Sequence, residues 1–141
     1  MLEFDRYIKD AYLDLNDPNY QFVGDALEAK RHGNISELFR HEGFEVEDDT
    51  DPNSDVCRTL ILPVDGKYIV VKLSFVGPFA AVFAPGVPQT AIEKARKLIQ
   101  ENGLQVLDQE QLQQPCEIDL TDIDARPMIY NALFSTDDMP I

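Results

Sequence analysis

The chain has 141 residues, of which 44% are apolar and 27% are charged, proportions that are typical of a globular protein. This length suits one domain that buries a hydrophobic core without disulfides or a structural metal, and two domains would be cramped. The formal net charge of −14 disfavours direct binding to nucleic-acid phosphates or to anionic lipid, because like charges repel one another.

Three helices are predicted before the first strand. Apolar residues at helical spacing in residues 2–15 predict an amphipathic helix. Asp17-Pro18 predicts the N-cap and first-turn proline of a second helix. Asn34 and Glu37 have the spacing of a capping pair, which predicts that a short third helix begins after Asn34.

The middle of the chain predicts an antiparallel sheet. Phe44 to Glu47 predict a short strand, and the polar run from Asp48 to Asp55 predicts a solvated loop. Cys57 to Val64 and Lys67 to Phe75 are rich in β-branched and aromatic residues. They flank Asp65-Gly66, which is the strongest short-range signal for a two-residue hairpin.

The strands continue beyond the hairpin and are followed by a helix. Phe79 to Ala84 is nearly all apolar, which predicts a strand covered on both faces. Thr90 and Glu93 have the spacing of a capping box and open an amphipathic helix that ends at Asn102-Gly103. A short strand is predicted for residues 104–107.

The C-terminal part is predicted to contain two short elements and a tail. Asp108 to Gln114 predict a polar helical turn, Met128 to Phe134 a strand or helix, and Ser135 to Ile141 a loose tail. Together the elements predict a single α+β domain, with an antiparallel meander, an N-terminal helical segment and a later amphipathic helix packed on it. We expect the helices to cover one face of the sheet, and another element to cover part of the second face.

No catalytic residue, cofactor site or metal site is predicted. The sequence contains no nucleophile with an adjacent base, no ligand cluster and no glycine-rich phosphate loop. Cys57 and Cys116 lie far apart and form no C-x-x-C pair, which favours reduced, partly buried thiols over a disulfide. His32 and His41 lie near predicted helix ends, where a structural role is favoured.

The acidic residues are concentrated in two segments, Glu42 to Val56 and Leu98 to Ala125. Each segment contains seven acidic residues and neither Lys nor Arg, so that together they account for the whole net charge. Such a field raises the encounter rate with a basic protein surface, although acidity can also serve solubility alone. The residues predicted to contact a partner are Glu47, Asp48, Asp49, Asp51, Asp55, Glu117, Asp119, Asp122 and Asp124.

The small size, the negative charge, the hairpin-centred α+β pattern and the ending Ile129 to Phe134 resemble the bacterial immunity proteins that neutralise polymorphic or contact-dependent toxins. The resemblance implies a partner with a basic active-site cleft, commonly a nuclease. Acidic side chains would then speed association, and aromatic anchors such as Phe44 and Tyr130 would supply affinity.

Two other classes of function are kept as alternatives. Type III secretion chaperones are also small, acidic α+β proteins, although three helices before the first strand fit them poorly. An enzyme would need a site assembled from residues that form no recognisable motif. The chain opens without a basic segment followed by an apolar run and contains no apolar stretch of about 18 residues, so we expect a cytoplasmic protein that does not bind membranes.

Overall fold

The computed structural model describes residues 4–120, 123 and 126–140. The strands in these residues are β1 (Glu47–Asp48), β2 (Cys57–Val64), β3 (Lys67–Ser74), β4 (Phe79–Phe83) and β5 (Gln105–Val106). The helices in them are α1 (Asp5–Tyr12), α2 (Gln21–Glu28), α3 (Gly33–His41), α4 (Gln89–Glu101), α5 (Gln109–Leu112) and α6 (Ile129–Leu133). The strands form one sheet in the order β1-β2-β3-β4-β5, which confirms the predicted α+β class.

The predicted hairpin is the centre of the sheet. β2 and β3 pair from Cys57 opposite Ser74 to Val64 opposite Lys67. The turn Asp65-Gly66 has φ values of 51° and 79°, and two successive positive φ angles match the twist of a two-residue hairpin. β1 to β4 are antiparallel, as the meander predicts, whereas β5 returns through α4 and pairs parallel to β4.

Helices pack on both faces of the sheet, which corrects the expectation that they cover one face. Face A is the side to which Cys57 and Phe79 point, and α1, α2 and α6 pack on it. Face B is the side of Leu60 and Val71, and α3 and α4 pack on it. Alternate residues of the central strands therefore enter two different cores, which explains why the strand Phe79–Phe83 is apolar throughout.

The first two helices are shorter than predicted. α1 ends where Leu13 adopts a left-handed φ of 68°. α2 begins at Gln21, whose backbone N–H donates to Asn19 Oδ1 at 2.8 Å, so Asp17-Pro18 does not cap it. The apolar stripes of both helices still pack on face A, as their periodicity predicts.

A side-chain cap is found at α5. Asp108 Oδ1 accepts a hydrogen bond from the backbone N–H of Gln111 at 2.8 Å, and Gln111 Oε1 accepts one from the N–H of Asp108 at 2.9 Å. α3 and α4 have no side-chain cap bond, because they begin earlier than predicted and their proposed N-caps lie inside the first turn. The predicted capping pairs that do not form are Asn34 with Glu37 and Thr90 with Glu93.

The C-terminal residues are attached to the sheet. The segment predicted as a strand or helix forms α6, and the backbone oxygen of Leu133 accepts a hydrogen bond from Ser74 Oγ at 2.7 Å. Ser135 is fully buried and pairs with Asp55, and Thr136 N donates to Ser54 O at 3.0 Å. The stretch predicted as a loose tail from about residue 135 is therefore tied to the body at its start.

None of the helices in the described residues is both long enough and apolar enough to span a bilayer.

Candidate functional site

The loop between β1 and β2 is built around a buried carboxylate. Asp55 is 4% exposed, and its Oδ2 accepts hydrogen bonds from Thr59 Oγ1 at 2.9 Å and from the N–H of Asp51 at 3.0 Å. Lys72 Nζ donates to Thr59 Oγ1 at 3.1 Å and lies 3.9 Å from Asp55 Oδ1. These bonds replace the water that a buried carboxylate loses. The predicted solvated loop is therefore wrong at Asp55, which is internal and is not part of a partner-binding surface.

Asp48 organises the outer part of the same loop. Its carboxylate pairs with Arg58 at 2.6 Å and accepts hydrogen bonds from the hydroxyl and the N–H of Thr50 at 2.6 Å and 3.0 Å. Thr50 Oγ1 in turn accepts a hydrogen bond from Thr59 N at 3.0 Å. Partial burial opposes ionisation of Asp48, but the hydrogen bonds from Thr50 and Arg58 outweigh it and lower the pKa of the carboxyl group. The charge of Asp48 is thus compensated within the chain.

Other acidic side chains around this loop are not paired with a cation in this way, although the guanidinium of Arg40 donates to Val46 O, between Glu45 and Glu47, at 3.5 Å. All are exposed, and the described residues contain no ion pair that involves them. We call this group the acidic edge, because it surrounds β1, the edge strand of the sheet. Its members are Glu45, Glu47, Asp49, Asp51 and Asp137. Ser54 Oγ lies 3.0 Å from Asp51 Oδ2 and 3.1 Å from Asp137 Oδ2, which brings the C-terminal acid to the loop.

The acidic edge follows β2 along its length. Glu47 lies opposite Ile61, and the N–H of Asp49 donates to Thr59 O at 2.9 Å. Glu45 borders the hairpin turn. Directly opposite residues of an antiparallel pair point to the same face. Glu47 therefore lies on the face A side of the sheet, next to Ile61.

The acidic residues Glu117 and Asp119 of the second segment lie beside α1. The N–H of Asp119 donates to Leu15 O at 2.8 Å, which places this part of the segment beside the end of α1. Glu117 lines a surface cavity together with Lys9 and Arg126, so cations lie near it. β5, the strand of this segment, is at the opposite edge from β1, roughly 19 Å away at about 4.8 Å per strand. The strand of the second segment and the strand of the acidic edge therefore lie at opposite edges of the sheet.

The alternation of apolar and acidic residues predicted for this segment is found where the structure describes it. Leu120 is 4% exposed and lies in the face A core, whereas Glu117 and Asp119 are exposed. Asp122 and Asp124, also predicted to contact a partner, lie outside the described residues.

The two aromatic residues expected to anchor a partner are engaged inside the protein. Tyr130 is 1% exposed and packs against Phe134. Phe44 is half-buried, and its ring meets that of Phe39 edge-on at 5.6 Å between centroids. Tyr68, by contrast, is 57% exposed, and Tyr20 is 43% exposed. The accessible aromatic side chains near the acidic edge are therefore Tyr68 in the hairpin and Tyr20, which lines a surface cavity with Ser54.

The thiol groups are buried. Cys57 is fully buried, Cys116 is 7% exposed, and both are free thiols. Burial raises the pKa of Cys57 to about 12 and the pKa of Cys116 to about 11, so both stay protonated near neutral pH. Within the described part of the chain, no group of three or more His, Cys, Asp or Glu side chains is placed to hold a metal ion.

An open cleft of about 600 Å³ lies where β4 and β5 end. This volume is in the range of small-molecule sites. Its walls are of mixed polar and apolar character, and the ionisable side chains among the described lining residues are Arg96 and Asp108. The Asp108 carboxylate caps α5, so the cleft does not bring a nucleophile and a free base together.

Comparison of the chain with protein-family models, with curated proteins and with solved structures finds no significant match.

Three residues beside the predicted acidic set were missed by the sequence analysis. Glu45 lies in the acidic segment from Glu42 to Val56 but was not among the residues predicted to contact a partner. Asp137 reaches the acidic edge only through the contact with Ser54, which is 83 residues away in the chain, and no local pattern indicates that contact. The position of Tyr68, by contrast, could have been predicted from the sequence. The Asp65-Gly66 turn fixes the hairpin register and so places Tyr68 opposite Pro63, at the end of the hairpin.

Proposed function

We propose that this chain is a protein inhibitor of the immunity type, which binds a cognate bacterial toxin by placing its acidic edge against a basic surface or active-site cleft. The observation that supports this best is the acidic edge, where five exposed carboxylates line one edge of the sheet and form no ion pair among the described residues. Grouped like charges repel and destabilise the folded chain, whereas scattered charges would serve solubility as well. A positively charged partner would neutralise the grouped carboxylates of the acidic edge and so explain why they lie together.

The order of the loop supports the same proposal. The loop that carries Asp49 and Asp51 is held from two sides, by the bonds of Asp48 and by those of Asp55. Groups that are ordered before binding lose little conformational entropy when a partner arrives. The carboxylates can therefore meet the cationic groups that a nuclease uses for phosphate, in place of nucleic acid.

The test is co-expression with the protein encoded in the adjacent reading frame, which we expect to be the toxin, followed by binding measurements on the purified pair. We expect the chain to restore growth and to form a complex with that protein. Neutralisation of the edge by Glu47→Gln with Asp49→Asn should slow association about tenfold at low ionic strength, and this effect should fade with added salt. The melting temperature should not fall, because neither side chain is paired within the fold.

The matched control is Glu28→Gln with Glu93→Gln. It removes the same amount of charge from exposed positions on α2 and α4 and should leave the association rate close to that of the wild-type chain. Equal slowing by the two double variants would assign the effect to net charge and would contradict a specific role of the acidic edge. Absence of both growth rescue and complex formation by the wild-type chain would contradict the proposed function.

The second acidic segment is tested with Glu117→Gln and Asp119→Asn. Because Lys9 and Arg126 lie near Glu117, we expect this variant to behave like the control. Slower association than in the control would place the toxin against α1 instead.

A further inference from the structure

Two neighbouring residues of β3 differ in their exposure. Tyr68 is 57% exposed, whereas Ile69 is fully buried. Ile69 points to face B, in the core that α3 and α4 share with the sheet. Tyr68 points to face A, where Ser74 at the other end of the same strand is 1% exposed. The helices on face A therefore cover one end of the hairpin and leave the end near its turn uncovered.

The strand register extends this uncovered region across three strands. Tyr68 lies opposite Pro63, and Val70 lies opposite Ile61 on one side and Phe83 on the other. Opposite residues point to the same face, so these five side chains form a continuous surface, which we call the hairpin face. Tyr68 is exposed and the other four are half-buried, and all five present apolar atoms.

At Phe83 this surface meets the face A core, since the Phe83 and Tyr130 ring centroids are 6.0 Å apart. Ile61 and Val70 belong to neither of the two cores, although both lie in central strands. One step further along the same face, Thr59 and Lys72 are 4% and 7% exposed, beneath the loop that Asp55 holds. Apolar patches that a fold leaves exposed and that polar residues border mark interaction sites when the patches are large.

The acidic edge borders the hairpin face. Glu47 lies directly opposite Ile61, and Glu45 lines the same surface depression as Pro63. An apolar centre with a polar border is the usual composition of a protein interface. A second copy of this chain suits the surface poorly, because two copies joined here would bring their acidic edges together.

We propose that the hairpin face is the apolar centre of the surface that binds the toxin, with Tyr68 as its main anchor. This inference rests on the proposed function and adds the residues that hold the complex together. The partner is a basic protein that presents an apolar side chain to Tyr68 and Val70, and Lys or Arg to Glu45 and Glu47. Charged groups of this kind speed the encounter, whereas a buried aromatic anchor slows dissociation.

The probe is the purified toxin domain encoded in the adjacent reading frame, and both rate constants are measured by surface plasmon resonance. Tyr68→Ala should dissociate about tenfold faster or more, with little change in the association rate. Leu13→Ala is the matched control, since Leu13 is 69% exposed, apolar and outside the hairpin face. It should leave both rate constants unchanged.

A photo-crosslinking residue supplies a second measurement that does not depend on a loss of affinity. At position 68 it should form a covalent product with the toxin domain, and at position 13 it should form none.

Tight binding by the wild-type chain, with no faster dissociation of Tyr68→Ala and no crosslink at position 68, would overturn the role of the hairpin face while leaving the proposed function intact. Failure of the wild-type chain to bind the toxin domain would reject both proposals. Dimerisation of the free chain that is lost in Tyr68→Ala would assign the surface to a second copy and overturn the inference.

Discussion

Lys72 reaches Asp55 inside the protein, where its Nζ lies 3.9 Å from Asp55 Oδ1 and neither side chain is more than 8% exposed. Thr59 links the two, since it accepts a hydrogen bond from Lys72 and donates one to Asp55. The pair joins the middle of β3 to the loop that carries the acidic edge. A buried cation thus anchors an acidic loop, in which the carboxylates of Asp49 and Asp51 remain exposed.

Removal of the buried cation should destabilise the fold. Lys72→Met leaves the carboxylate of Asp55 buried without its cation, and we expect the free energy of unfolding to fall by about 3 kcal/mol. Urea denaturation measures the change. Lys67→Met, at an exposed position of the same strand, should cost less than about 0.5 kcal/mol. Equal losses in the two variants would show that the ion pair does not stabilise the loop.

The acidic edge should reduce stability at low ionic strength. Because its carboxylates repel one another, Glu47→Gln with Asp49→Asn should raise the free energy of unfolding by about 0.5 kcal/mol in dilute buffer. The gain should shrink in about 0.5 M salt, where charges further apart than a few ångströms are screened. A destabilised double variant at low salt would mean that these carboxylates form stabilising contacts within the chain.

Acidification should weaken the fold through His32. Burial lowers the pKa of His32, whose Nε2 donates a hydrogen bond to Ser74 O at 2.8 Å. A lowered pKa in the folded state means that protons bind the unfolded chain more readily. The contribution of His32 to the free energy of unfolding is therefore present above the ordinary pKa of 6.5 and is lost as the pH falls through the lower pKa of the folded state.

His32→Asn tests this dependence, because asparagine accepts the left-handed φ of 66° at this position. Between about pH 7.5 and pH 5, the free energy of unfolding should fall more in the wild-type chain than in His32→Asn. His41→Gln, at an exposed position, should follow the wild-type curve. A wild-type curve that coincides with that of His32→Asn would exclude His32 as the cause.

The two thiols should be unreactive in the folded chain. Since burial raises the pKa of Cys57 to about 12 and that of Cys116 to about 11, the thiolate form that reacts is rare near neutral pH. Mass spectrometry after treatment with iodoacetamide should find both thiols unmodified in native buffer and both modified in denaturant. Rapid modification of Cys57 in native buffer would indicate that the loop around Asp55 opens readily.

The hairpin, the central strands and the amphipathic faces of the helices were predictable from the sequence, because they depend on residues that are close in the chain. Asp65-Gly66 selects its turn through positive φ angles, and the apolar run of Phe79–Phe83 indicates burial on two sides. Helix starts were predicted less well. Local hydrogen bonds, such as the one that the N–H of Gln21 donates to Asn19 Oδ1, compete with the capping pattern on which the prediction relied.

The candidate site was predictable as a charged segment but not residue by residue. Within one acidic run, Asp55 is buried beside Lys72, Asp48 pairs with Arg58, and Asp49 remains free on the surface. These three residues have the same side chain and differ only in what the folded sheet places next to them.

The sequence by itself determined that this protein folds as an α+β chain around one hairpin and that its negative charge is concentrated in two segments, because composition and periodicity act through neighbours in the chain. The tertiary structure alone decided which carboxylates face solvent, that Asp137 joins them and that Tyr68 stays uncovered. Those outcomes depend on packing between residues that are distant in the sequence, since burial and charge compensation are set by whatever the fold brings into contact.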